Sequence, residues 1–306
     1  MPTHLVLGAG LIGAALTREL AARGDRVTVA SRRGTPLPGA TPVALHAGSP
    51  ADVSRAARGT DTIFLCTNPP YPAWATEWPP VFEAAIAAAR NSGASLVVMG
   101  NLYAHGRVTH PMTAADAPRP AEHKGEIRAR GWADVLAAHS RGEIRAVEVR
   151  ASDYFGPGAG PTAHLGHRFF DPLLAGKTAW AVGDPAQPHA WSYLPDIART
   201  LVAAASAPSG LWGRPWLVPS HARSQRDIAA EVEAITGVAG RVRGIPTPLL
   251  RALGAFDAQL REVARCAYQF EAPFLVDTAD TEAALGVTAT PWGTALAETV
   301  AAYQRG

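Results

Sequence analysis

Over its first 150 residues the chain alternates short apolar runs with stretches whose apolar residues recur at helical spacing, and no other feature restricts its fold as tightly. The runs are THLVL, RVTVAS, TPVAL, DTIFLC, SLVVMGN and the strand inside EIRAVEVRAS. Among them lie LIGAALTRELAARGD, SPADVSRAARG, which a Ser-Pro pair opens, WPPVFEAAIAAARNSG and EIRARGWADVLAAHSRG. Strands separated by helices of this length must run parallel, joined by right-handed crossovers with helices on both faces of one sheet. A hydrophobic content of 47% against 18% charged residues gives such a sheet enough apolar material to bury. After about residue 155 the alternation loosens, and proline, glycine and tryptophan become frequent. The expected organisation is an α/β domain over residues 1–153 and a smaller lobe over 154–306, with segments around 180–206 returning to the sheet.

The first strand runs directly into Gly8-Ala9-Gly10-Leu11-Ile12-Gly13, a GxGxxG that opens the first helix. In that setting Gly8 permits a tight turn, Gly10 lets a pyrophosphate approach the backbone, and Gly13 lets helix and strand pack closely. The helix start then offers free N–H groups and a positive dipole end to an anion. This is a Rossmann-type, doubly wound sheet with a dinucleotide site that includes Leu11 and Ile12. An acidic residue at the end of the second strand would select NAD, but the sequence there is Ser31-Arg32-Arg33. A hydroxyl and two guanidiniums suit a ribose 2′-phosphate, so NADP(H) is the expected cofactor, and FAD is disfavoured.

GAGLIG, VVMGNLYAHG, VRASDYFGPG and WSYLPDIARTLV together resemble the extended short-chain dehydrogenase/reductases, the NAD(P)-dependent epimerase/dehydratase superfamily, over about residues 4–205. The resemblance implies a C-terminal substrate lobe and a catalytic Tyr-x-x-x-Lys, and here the chain departs from it. No tyrosine precedes a lysine by four, and only Lys124 and Lys177 are lysines among the 28 Lys and Arg residues. By the family's spacing, Lys124 and Arg128 fill the two slots; a short gap instead leaves Lys124 as the family lysine, reaching the ribose. Asn101 stands where the family has its Ser or Thr. Tyr103 is the nearest tyrosine, so the expected site gives Tyr103 the acid role, its phenolate favoured by Lys124, and gives Asn101 an orienting role. Lys124 as a solvated helix charge, or Tyr103 merely packing on the cofactor, is the plainer alternative. His105 is a second proton donor to consider. Asn68 and Ser152, at the ends of the fourth and sixth strands, are expected on the cofactor side; Tyr71, His105, Tyr154 and Trp191 on the substrate side.

Aromatic loop residues (Tyr71, Trp74, Trp78, Trp191, Tyr193, Tyr268, Phe270, Phe274) suggest an apolar or ring-containing carbonyl or alcohol. HLGHRFFDPLLAGK offers only Arg168 and Lys177 to a second pyrophosphate, which ranks a nucleotide sugar lower. The expected activity is hydride transfer between NADP(H) and that small molecule. The alternatives are epimerisation or dehydration with a retained cofactor, and a non-catalytic NADP-binding redox sensor. The ten histidines show no metal-ligand spacing, and there is no G-x-S-x-G elbow, so no metal is expected. A net charge of +2 without basic runs points away from nucleic acid and membrane surfaces. A first strand at once, no apolar stretch of ~18–20 residues, and Cys66 inside an apolar run point to a cytoplasmic protein with free thiols; a homodimer is possible on family grounds.

Overall fold

The computed structural model describes residues 1–160 and 163–305. Seven strands form one parallel sheet: β1 (Thr3–Leu7), β2 (Arg26–Ser31), β3 (Ala40–Ala44), β4 (Thr62–Leu65), β5 (Ser95–Asn101), β6 (Ala146–Ala151) and β10 (Pro215–Leu217), in the order β10-β6-β5-β4-β1-β2-β3. β4 and β6 are buried along their whole length, as strands covered on both faces must be. One face is covered by α2 (Pro50–Ala56), α3 (Trp74–Ser92) and α4 (His123–Ser140), and the other by α1 (Leu11–Ala22) and α6 (Leu194–Ala205). The order reverses between β1 and β4, and there the carboxyl ends of the strands open a crevice.

Local signals explain most boundaries. Ser49 caps α2 by accepting from the Asp52 amide, with Pro50 at the first helical position. Helix α3 begins at Trp74, a turn before WPP, and Trp74 and Trp78 bury their rings under the sheet. The two tryptophans are therefore core, not cleft-facing.

The second lobe is built on two small sheets. β7 (Asp153–Phe155) pairs with β9 (His189–Tyr193), which pairs with β11 (His221–Arg223); β8 (Thr178–Val182) pairs with β12 (Arg241–Ile245). Around them lie α5 (His167–Leu174), α7 (Gln225–Thr236), α8 (Thr247–Leu253), α9 (Ala258–Cys266), α10 (Ala279–Leu285) and α11 (Trp292–Arg305). The expected return over 180–206 is corrected in part: α6 packs on the main sheet, but the returning strand is β10, beside β6. Among the described residues no helix is long and apolar enough to cross a membrane. Cys66 and Cys266 are both free and buried.

Candidate active site

The glycine turn is packed tightly at Gly8 and Gly13 and open at Gly10. Gly8 has φ +120°, and a Cβ there would lie 2.7 Å from the Thr67 amide; at Gly13 it would lie 1.9 Å from the Gly8 carbonyl oxygen. Gly10 faces open space, with no atom within 4 Å of where a Cβ would stand. No side chain caps α1 and its first turn has no acidic residue, so its first amides await an acceptor. Leu11 and Ile12 are half-buried against the core beneath. At the end of β2, Ser31 Oγ accepts from the Thr35 amide at 2.9 Å. Arg32 and Arg33 are exposed, and neither guanidinium has a protein partner among the described residues. Asn68 is exposed beyond β4, on the same crevice edge.

Beyond this turn, the ends of β5 and β6 meet a small cavity whose walls include Tyr71, Tyr103, Asp153, His164, Cys266 and Phe270. Tyr71 and Tyr103 touch through their hydroxyls at 2.6 Å, and Tyr103 stacks on Trp74. Asn101 Oδ1 accepts from the Tyr103 amide, so its side chain fixes the turn rather than reaching into the cavity. α4 starts hard against this turn, with a Cβ on Gly125 falling 2.4 Å from the Tyr103 carbonyl oxygen.

That start explains Lys124. Glu122 caps α4 by accepting from the Lys124 and Gly125 amides, and its Oε2 also lies 2.8 Å from Lys124 Nζ. From α9, Glu262 Oε2 reaches the same ammonium at 2.7 Å. Lys124 is 0% exposed, which corrects the solvated-charge reading. It also corrects the expected electrostatic role. Burial opposes the ammonium, but the Cys266 sulfur and both carboxylates outweigh it and hold the pKa above an ordinary lysine's. Its charge is offset by those two carboxylates, and Nζ lies 5.3 Å from the centre of the Tyr71 ring. Burial, with Tyr71 and Cys266 adding to it, pushes Tyr103 well above the ordinary phenol range, so the expected phenolate is disfavoured. Glu122, His123 and Glu262 also cluster closely enough to suggest a cation site, but the Lys124 ammonium already bridges the two carboxylates.

Other expected residues land elsewhere. His105 is buried, its Nε2 3.2 Å from Arg150 Nη1, and burial with the Arg150 charge drives its pKa down to about 4, so its ring is neutral near pH 7. Trp191 is 0% exposed in the second lobe's core, donating to the Arg223 carbonyl, so it is no cleft residue. Arg128 donates to the Met99 carbonyl and lies 4.1 Å over the Trp78 ring, serving the α4–β5 packing. Tyr154 packs at the edge of the main core. Ser152 is buried, its amide donating to Ser192 Oγ and its own Oγ 3.5 Å from His189 Nε2.

Sequence reasoning passed over Asp153, His164 and His189. Asp153 Oδ2 lies 2.9 Å from His189 Nε2, and its Oδ1 lies 3.9 Å from His164 Nε2. Burial alone would raise this carboxyl, but the two histidines outweigh it and hold the pKa below the ordinary Asp value. Asp153 stands inside the SDYFGPG signature and is within reach of the sequence; the histidines, on separate elements, carry no spacing signal.

A model of the NAD dependent epimerase/dehydratase family matches residues 4–216. Among solved structures, the chain is similar to MoeE5 in complex with UDP-glucose and NAD (TM-score 0.80, 21% identity, 99% of each chain covered). It is similar also to UDP-glucuronic acid 4-epimerase from Bacillus cereus with UDP-glucuronic acid and NAD (0.80, 17%, 99% of each). A third likeness is to DesIV, a dTDP-glucose 4,6-dehydratase from Streptomyces venezuelae with NAD and TYD bound (0.79, 18%, 99% of this chain and 97% of that one). At these identities the likeness is one of fold. No curated protein matches the chain in sequence.

Proposed function

The chain belongs to the NAD dependent epimerase/dehydratase family, and from that premise we propose that it is an enzyme that holds a nicotinamide dinucleotide and oxidises and re-reduces a hydroxyl-bearing substrate, as in epimerisation or dehydration. The observation that carries the proposal is the join of two features on one crevice: an uncapped α1 behind an open Gly10, and a cavity lined by titratable groups at the ends of β5 and β6. The dinucleotide, when bound, supplies the acceptor and donor of hydride. The protein's own residues do the rest. Gly10 and the first α1 amides receive the pyrophosphate, while Arg32 and Arg33, unpartnered among the described residues, favour a 2′-phosphate and hence NADP(H) over NAD(H). Ser152 and Asn68 border the nicotinamide end of that crevice. Tyr103 and Tyr71 are kept as neutral phenols bonded to each other, so one of the two hydroxyls is left to donate to and orient a substrate oxygen. Ionised Asp153 repels a phosphate at this point, so the part of the substrate in the cavity is neutral, a hydroxyl or carbonyl beside the ring of Phe270.

The exposure of Arg32 and Arg33 favours a second form, a net NADPH-dependent reductase, because an open adenine-ribose end suits a cofactor exchanged at every turnover. Denaturing the purified protein and assaying the released nucleotide separates the two. A stoichiometric dinucleotide in the supernatant supports the retained-cofactor form. An empty protein that consumes NADPH in proportion to product supports the reductase.

A further inference from the structure

We propose that Asp153 and His164 form a proton-transfer dyad, in which His164 takes the proton of a substrate hydroxyl as that group becomes a carbonyl and returns it on the reverse step. The inference rests on the function proposed above, which requires some group to move this proton, and the family's tyrosine is missing from its slot.

The geometry meets the requirements of such a base one by one. His164 borders the cavity, and its side chain keeps 26% of its exposure where the surrounding core is closed. Its Nε2 faces Asp153 Oδ1 at 3.9 Å, within ion-pair reach and too long for a hydrogen bond, and contacts of a catalytic base are often loose before substrate binds. A proton on Nε2 would face that carboxylate, and a neutral ring carrying it there has Nδ1 as its acceptor, the same orienting logic by which a carboxylate fixes a catalytic imidazole. The ring packs against Phe270, 4.5 Å away between centroids. Asp153 is in turn held from behind by His189, whose Nδ1 lies 3.2 Å from the Gln269 carbonyl oxygen.

Protons and electrons balance in this step. One proton moves from the substrate oxygen to Nδ1, and the imidazolium so formed is stabilised by the Asp153 carboxylate; the electron pair of the adjacent C–H bond would be taken as hydride by the oxidised dinucleotide, the acceptor that group would supply when bound. The groups facing His164 are Asp153 from β7, His189 from β9, Arg168 from α5, and the hydroxyls of Tyr71 and Tyr103 with the Cys266 thiol across the cavity. Burial, with His189 and Arg168, holds the His164 ring towards its neutral form, and Asp153 alone opposes them, so the resting ring is a base.

Two readouts test the dyad. Long-range proton–nitrogen correlation spectra follow the histidine rings against pH, with His164 assigned by its loss in His164→Gln. Replacing Asp153 with Asn should lower the His164 midpoint by about 1 pH unit or more, as loss of a close opposite charge does. An unmoved midpoint overturns the dyad whether or not a substrate is in hand; should Asp153→Asn misfold, Asp153→Ser, which also removes the charge, serves in its place. In a panel of neutral ketones and secondary alcohols, His164→Gln should lose about 10²- to 10⁴-fold in kcat while NADPH affinity holds. Turnover within about threefold of wild type overturns the proposal and leaves the proposed function standing, since that loss falls far short of a general base's share. Wild type that releases no dinucleotide on denaturation and binds neither NADPH nor NADH overturns both.

Discussion

Lys124 is the residue at which sequence and structure meet most instructively. Its rarity among so many arginines marks it correctly as more than a surface charge, yet the carboxylate that claims it sits on α9, 138 residues away, where no local pattern points to it. A buried ammonium between two carboxylates is costly to unbalance. Lys124→Ala should cost roughly 3–5 kcal/mol in urea unfolding, because Glu122 and Glu262 lose the buried ammonium between them and Arg265 pairs with Glu262 alone. His105 gives a pH signature of its own. Its folded pKa, about 4, lies below the 6.5 of an ordinary histidine, so the folded state binds fewer protons between those values. Its contribution is complete above about pH 6.5 and is lost as pH falls towards 4, by roughly 2–4 kcal/mol. His105→Gln should flatten that part of the stability–pH curve, measured by denaturant unfolding at each pH.

At the scale of elements, the legible part is the part with local causes. Strand β5 coincides with SLVVMGN, and Ser49, Pro50 and the glycine turn mark helix starts as their chemistry dictates. Less legible is what tertiary packing decides. A proline-rich loop makes Trp74 and Trp78 read as cleft residues, but α3 begins a turn early and both rings fill the core under the sheet. The glycine turn supplies a sharp prediction. Gly13→Ala forces a methyl to within 1.9 Å of the Gly8 carbonyl oxygen, so it should abolish dinucleotide binding in titration and lower the melting temperature together. Gly10→Ala meets no protein atom, and should weaken binding with the melting temperature unchanged.

Across the whole molecule, the two lobes are tied by contacts the sequence gives no means of pairing. Asp196, 0% exposed at the start of α6, accepts from the Thr290 amide at 2.7 Å and from Thr290 Oγ1 at 2.6 Å, and pairs with Arg199. The segment leading into α11 is thereby pinned to the main sheet. Asp196→Ala should destabilise the protein by about 3 kcal/mol or more, seen as a lower melting temperature. The candidate site depends on the same closure, since Tyr71, Tyr103 and Asp153 belong to the first half of the chain while Cys266 and Phe270 come from the second. That is why motif reading finds the dinucleotide turn and only part of the cavity. The most direct test of the account is a paired fluorescence titration of the purified protein with NADPH and NADH, repeated on Arg32→Ala. The account predicts tighter NADPH binding, by roughly tenfold or more, with the preference lost in the variant. Equal affinities would contradict the 2′-phosphate site at Arg32 and Arg33, and binding of neither nucleotide by a protein that also releases none on denaturation would contradict the enzyme itself.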